Sequence, residues 1–292
     1  MKMSKKFKAA ITVAAIAGTC ALSSPSFAAW TSDAPNKLAA NITAGAVSTD
    51  NNEGMMIVGS EGKTYFMDGA KMVGGDPVWT KIAAPATSDF VDAIYDANLK
   101  SYWAVTVSGE VVNSSDGRSW TSVSMDAGAK DAIEGRIVTG ITSCEGSEGA
   151  DDRDIIVITT DGVIAHFDKS ESLWKASIGP FVTEHIANYR VVTGVTELPE
   201  IPGKVVIYGK EGGADGHSNL YVLNLADGSF QGFNVQNCPN INDLSIQSRN
   251  AWYAIGDSAT VVKGTQDLNF INADDSDINV TTAKTVIKQA RR

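Results

Sequence analysis

Three histidines, two cysteines downstream of the N-terminal segment and a surplus of carboxylates are the side chains of this sequence that could carry chemistry. His166 sits inside the alternating run Val163–Phe167 and reads as a packed or surface strand residue. His185 and His217 fall in loops, and two imidazoles so far apart in sequence do not make a metal-ligand pattern. Asp151-Asp152-Arg153-Asp154 and Asp274-Asp275-Ser276-Asp277 offer hard oxygen ligands to calcium, but neither has the Asp-x-Asp-x-Asp-Gly spacing. Both are expected to be solvated acidic loops. A glycoside hydrolase needs two carboxylates facing each other across a cleft. Asp92, Glu134 and Asp243 are candidates that the sequence does not distinguish from solvated acids. Cys144 and Cys238 lack the neighbouring basic group that generates a thiolate. No Ser-His-Asp or Cys-His set can be assigned, so no catalytic residue, metal ligand or cofactor is expected, and a non-catalytic protein is expected over an enzyme.

The N-terminus supplies the compartment. Lys2, Lys5, Lys6 and Lys8 precede an apolar run from Ala9 to about Leu22, and Ser26 and Ala28 stand at −3 and −1 of a cleavage point. This is the pattern of a secretory leader, too short in its apolar part to span a bilayer. Residues 1–28 are therefore expected to be removed and 29–292 to form one domain, periplasmic or secreted. The leader holds four of the 24 basic residues and none of the 34 acidic ones, so the remainder stands at 20 against 34, a formal −14. That charge argues against nucleic acid and anionic lipid, which need clustered Lys and Arg. No later stretch has eighteen consecutive apolar residues, so no stable membrane insertion is expected after cleavage.

The elements that must position any site repeat. Ile42–Val47, Met55–Gly59, Thr64–Met67 and Val78–Ile82 form a first unit of four short β-branched and aromatic runs. Equivalent units begin at Val91, Ile137, Val191 and Ile241, the last ending in Leu268-Asn269-Phe270. Short Gly-bearing turns join the second and third runs, a hairpin signal. Their anchors, Gly62, Gly109, Gly162, Gly213 and Asp257, recur at intervals of 47, 53, 51 and 44 residues. Four strands at that period make a β-propeller blade. An all-β propeller of five blades is predicted. A sixth could be closed by both chain ends, from Trp30-Thr31 at one end and Ile278–Thr282 with Thr285–Ile287 at the other; a longer ring is the alternative. No helical periodicity stands out beyond the leader.

An aromatic recurs at each predicted fourth strand: Trp79, Trp120, Trp174, Phe230 and Phe270. Before Trp120 lies Ser114-Ser115-Asp116-Gly117-Arg118-Ser119, which resembles a short Asp-box, or BNR repeat. In that motif the Asp carboxylate folds onto its own turn, Gly takes the left-handed position and Trp packs between sheets. The chain as a whole, over roughly residues 30–290, resembles the BNR-type or Ycf48-like propellers. The resemblance implies a structural role for Ser114, Asp116, Gly117 and Trp120, and blade packing for the other aromatics. Sialidases also carry such boxes, yet the seven Arg outside the leader (118, 136, 153, 190, 249, 291 and 292) leave the first blade without one and supply no Arg cluster.

The repeat register decides the cysteines. An oxidising compartment favours a disulfide. The register, however, puts Cys144 after the first strand of the third unit and Cys238 before that of the fifth, too far apart to bond. Both are expected to stay unpaired within one molecule. Three function classes remain: a protein-binding or complex-assembly module, which is preferred because a propeller is a rigid ring with loops on two faces, the assembly task being what the resemblance to Ycf48-like propellers implies; a carbohydrate-binding, lectin-like propeller; and a glycoside hydrolase or lyase. The partner, protein or glycan, and the oligomeric state are not specified by the sequence.

Overall fold

Alternation of β-branched and polar residues, broken every five to eight positions by turn formers, builds a succession of antiparallel hairpins. A computed structural model describes residues 41–49, 54–68, 79–83, 85–146, 149–177, 191–210, 218–235, 237–265, 267–268, 278–280 and 284–285. The leader, His185, His217, Phe270, the 274–277 acidic run and Trp30-Thr31 lie outside these residues. The chain divides into two units, Met1–Ser124 and Met125–Arg292.

The first unit holds two sheets, each with its strands in sequence order. Sheet one is β1 (Ile42–Val47), β2 (Met55–Gly59), β3 (Thr64–Met67) and β4 (Trp79–Ile82). Sheet two is β5 (Phe90–Asp96), β6 (Ser101–Thr106), β7 (Val111–Ser114) and β8 (Thr121–Val123). Met56, Val58 and Phe66 from the first interleave with Phe90, Tyr102 and Val112 from the second in one buried cluster. The turn at Ser60–Gly62 fixes the hairpin. Gly62 has φ +67°, and a Cβ there would strike the backbone carbonyl of Ala86, so the site takes only glycine.

The second unit opens with a helix the sequence did not announce, α1 (Ala127–Ile133). It buries Ala129 and Ile133, four apart on one face, and Gly135 at φ +73° stops it. At seven residues, its stability comes from packing rather than periodicity. Three sheets follow. They are β9 (Val138–Gly146) to β12 (Leu173–Ser177) through β10 (Gly149–Thr159) and β11 (Ile164–Asp168); β13 (Val191–Glu197), β14 (Lys204–Lys210), β15 (Leu220–Asn224) and β16 (Phe230–Val235); and β17 (Ile241–Ser248), β18 (Ala251–Gly256) and β19 (Val261–Gly264).

Two late strands complete these sheets instead of forming another. β20 (Ile278–Val280) pairs parallel with β16, and β21 (Lys284–Thr285) is the fourth strand of the last sheet, beside β19. The possible sixth blade therefore takes neither β20 nor β21, which are spent on blades four and five. In the fifth unit the strand beside β19 is β21, and Leu268, where the sequence reading began that strand, is a buried turn residue, its N–H donating to the Arg249 carbonyl.

A further regularity was invisible in the sequence. Every first strand carries a register irregularity near its start, at Ile42/Ala44, Phe90/Asp92, Val138/Gly140, Val192/Gly194 and Ile241/Asp243. Such bulges bend and twist a strand locally. In the second unit they also bring Thr139 and Thr193 onto the next first strand: Thr139 Oγ1 donates to the Thr193 carbonyl, and Thr193 Oγ1 to that of Ile241.

Candidate functional site

The motif of Ser114–Trp120 occupies the turn between β7 and β8. The Asp116 carboxylate accepts the N–H groups of Arg118 and Ser119, both at 2.7 Å, and the hydroxyls of Ser114 and Ser119. Burial pushes this carboxyl up, but those donors outweigh it and hold it down at about 2. Gly117, at φ +71°, donates to Ser114 Oγ and leaves no room for a Cβ against the Phe66 ring. Trp120 lies just before β8, partly buried against the cluster of the first two sheets, its Nε1 donating to the Gly117 carbonyl at 3.3 Å. Arg118 is more than a turn tip: it pairs with Asp68 at 2.8 Å and covers the Phe66 ring at 4.6 Å.

The other aromatics divide. Trp79 opens β4 and is partly buried against Met55, Ile57, Tyr65 and Met67. Trp174, in β12, is buried against Phe167, with ring centroids 5.4 Å apart. Phe230 opens β16 and packs on Tyr221 at 6.2 Å. Phe270 lies outside the described residues. Asp168 and Asp227, in the corresponding turns of the third and fourth sheets, also fold onto their own turns: Asp168 accepts Glu171 N–H and Ser170 Oγ, and Asp227 accepts Ser229 N–H and Oγ. Their signal was an Asp at or just after the end of a third strand, which the different spacing to the next aromatic concealed.

The candidate carboxylates bond locally. Asp92 and Asp243 hold the same position in their sheets, where the ladder resumes after the bulge, and each accepts the next residue's N–H at 2.8 Å. Burial raises the Asp243 carboxyl. Glu134 ends α1. Asp151–Asp154 belongs to strand β10, which corrects the solvated-loop expectation. Asp154 and Arg153 are buried there; Asp154 Oδ2 meets His166 Nε2 at 2.8 Å, and Arg153 reaches Glu197 at 2.7 Å and Ser143. Cys144 lies within β9, not after it, opposite Asp154. Both cysteines are free and buried; burial drives the Cys144 thiol well above its usual range and Cys238 up to about 11. A thiol so held is a poor nucleophile.

What the second unit does present is an apolar ledge on its hairpin side. Ile137, just before β9, is 58% exposed and Val191, the first residue of β13, 47%, while nearly every other large aliphatic described is buried or partly buried. The backbone of Thr160, at the β10–β11 turn, links their segments: the Thr160 N–H donates to the Ile137 carbonyl and the Val192 N–H to that of Thr160. On one side Arg136 pairs with Asp161. On the other, Lys210 lies opposite Val191 and bridges to Asn240. Asn240 and Asn242 both donate to Asp257, and these bonds hold its carboxyl below the usual range. A pocket beside Val191 is lined by Tyr208, Lys210, Ser218 and Asn219. These groups can receive apolar and hydrogen-bonding side chains; they contain no nucleophile set beside a base.

Solved structures place this architecture. The WD40 repeats of RRP9 match over 83% of this chain and 63% of theirs, with a TM-score of 0.57 at 12% identity. The fold is a five-bladed β-propeller. YCF48 bound to a D1 peptide matches 79% of this chain and 65% of its own, at TM-score 0.50 and 11% identity. A chain of the mitotic checkpoint complex matches 78% and 62%, at 0.54 and 11%. The propeller thus spans slightly less than two thirds of the length of each. No family model and no curated protein matches the sequence.

Proposed function

We propose that the protein is an exported protein-binding propeller that takes its partner on the hairpin side of blades three and four. One observation carries this reading: Ile137 and Val191, two exposed β-branched residues, flank the Thr160 backbone, with an Arg136–Asp161 pair next to the first and Lys210 opposite the second. An apolar centre with a polar rim is the usual anatomy of a protein interface. Two similar structures support it, since one is bound to a peptide and another belongs to a protein complex. Export rests on the basic, apolar and small-residue order of residues 1–28. The fit of Ser114–Trp120 to the Asp-box supports kinship with the BNR-type propellers, in which the motif is structural.

The test is capture from envelope extract with leaderless protein, wild type against the Ile137→Asp, Val191→Asp double variant. Both positions are exposed, so the variant should melt within a few degrees of wild type. Proteins captured by wild type and lost by the variant are the expected result. Identical captures, or a glycan-array signal that persists in the variant, would move the binding site elsewhere.

A further inference from the structure

The outer edge of blade four is occupied in a way no other described blade shows. β20 lies parallel on β16, with Phe233 opposite Ile278, Asn234 opposite Asn279 and Val235 opposite Val280. Every other pairing among the described strands is antiparallel. β16 itself is firmly held from the inside. Phe233 and Val235 are buried, the Asn219 N–H donates to the Phe233 carbonyl, and Asn219 Oδ1 accepts the Val235 N–H at 2.9 Å. Asn219 is in turn anchored by its Nδ2 on the Cys238 carbonyl. The edge is therefore preorganised. The strand laid on it is not matched to its length: β20 pairs with three of the six residues of β16, and β21, which follows after three residues, pairs at two positions. Short ladders open at low free-energy cost. In sequence, Asp274, Asp275 and Asp277 precede β20.

We propose that the blade-four edge is a strand-exchange site, at which an extended segment of a partner protein displaces Ile278–Val280 and adds parallel to β16. Main-chain hydrogen bonds supply the affinity, as in other strand additions. The cis register gives the partner's chemistry: an apolar–polar–apolar triplet opposite Phe233, Asn234 and Val235, flanked by neutral or basic residues instead of three aspartates. The site does not depend on the Ile137–Val191 ledge.

A fluorescent peptide, Lys-Ser-Ile-Asn-Val-Thr-Thr-Lys, is titrated into the full chain and into an Asn234→Cys, Asn279→Cys variant. Adjacent strands lie about 4.8 Å apart, within the roughly 4.4–6.8 Å span a disulfide bridges. The peptide should bind wild type and reduced variant alike, lose at least tenfold in affinity on oxidation, and recover with dithiothreitol. Ile278→Asp, which weakens the cis strand without a crosslink, should tighten binding several-fold. Equal binding to oxidised and reduced forms, equal binding of a scrambled peptide, or no change with Ile278→Asp would overturn the proposal. Dimers that vanish on oxidation would place a second copy's strand in the edge, and overturn it as well.

Discussion

Asp116 shows how one side chain organises a turn. Its carboxylate gathers two backbone N–H groups and two hydroxyls, and only the ionised form accepts them all. With the folded-state value at about 2, below the roughly 3.9 of an unfolded Asp, its contribution is complete above the unfolded value. It is lost as pH falls toward the folded one. Urea unfolding from pH 5 to pH 2 should therefore show wild type losing more stability than Asp116→Asn, whose amide does not titrate. At pH 7 the Asn variant should be less stable by about 1 kcal/mol, the usual worth of such a local bond. Parallel pH profiles would show that the turn does not depend on the charge. The motif was legible because all its parts are local. The Asp154–His166 contact was not, because its partners are twelve residues apart and meet only when β10 and β11 pair.

Elements respond to a methyl group according to backbone and neighbours. Gly62 sits at positive φ with the Ala86 carbonyl where a Cβ would be, whereas Gly128, inside α1, has nothing within 4 Å of that position. Gly128→Ala should stabilise by about 0.5–1 kcal/mol, the propensity gain in a helix interior. Gly62→Ala should destabilise by more than that, since strain and collision add. Opposite shifts in urea midpoint are expected; shifts of the same sign would contradict the left-handed backbone at Gly62 or the helical one at Gly128. Strands β1 to β3 match the sequence reading because period-two alternation and hairpin glycines are strong local signals. Helix α1 escaped it because seven residues with two buried positions scarcely exceed chance.

At the scale of the molecule, blade packing keeps the two thiols out of reach. Cys144 is fully buried and Cys238 nearly so, so leaderless protein should show two free thiols by non-reducing mass mapping. Both should be slow toward Ellman's reagent until the chain unfolds, Cys144 more so than Cys238. A bridge between residues 144 and 238, or rapid labelling of Cys144, would contradict this packing. By itself the sequence determined the repeat, its all-β class and the hairpin turns at Gly62, Gly109, Gly162 and Asp257, since each follows from short-range spacing of apolar and turn residues. Only the tertiary structure decided what happens to segments whose partners are distant. It sent Ile278–Val280 and Lys284–Thr285 to the edges of blades four and five, not to a sixth blade, because unpaired strand edges there could be satisfied. It also left Ile137 and Val191 exposed, which no local pattern foretells: burial depends on which neighbouring blade covers a side chain.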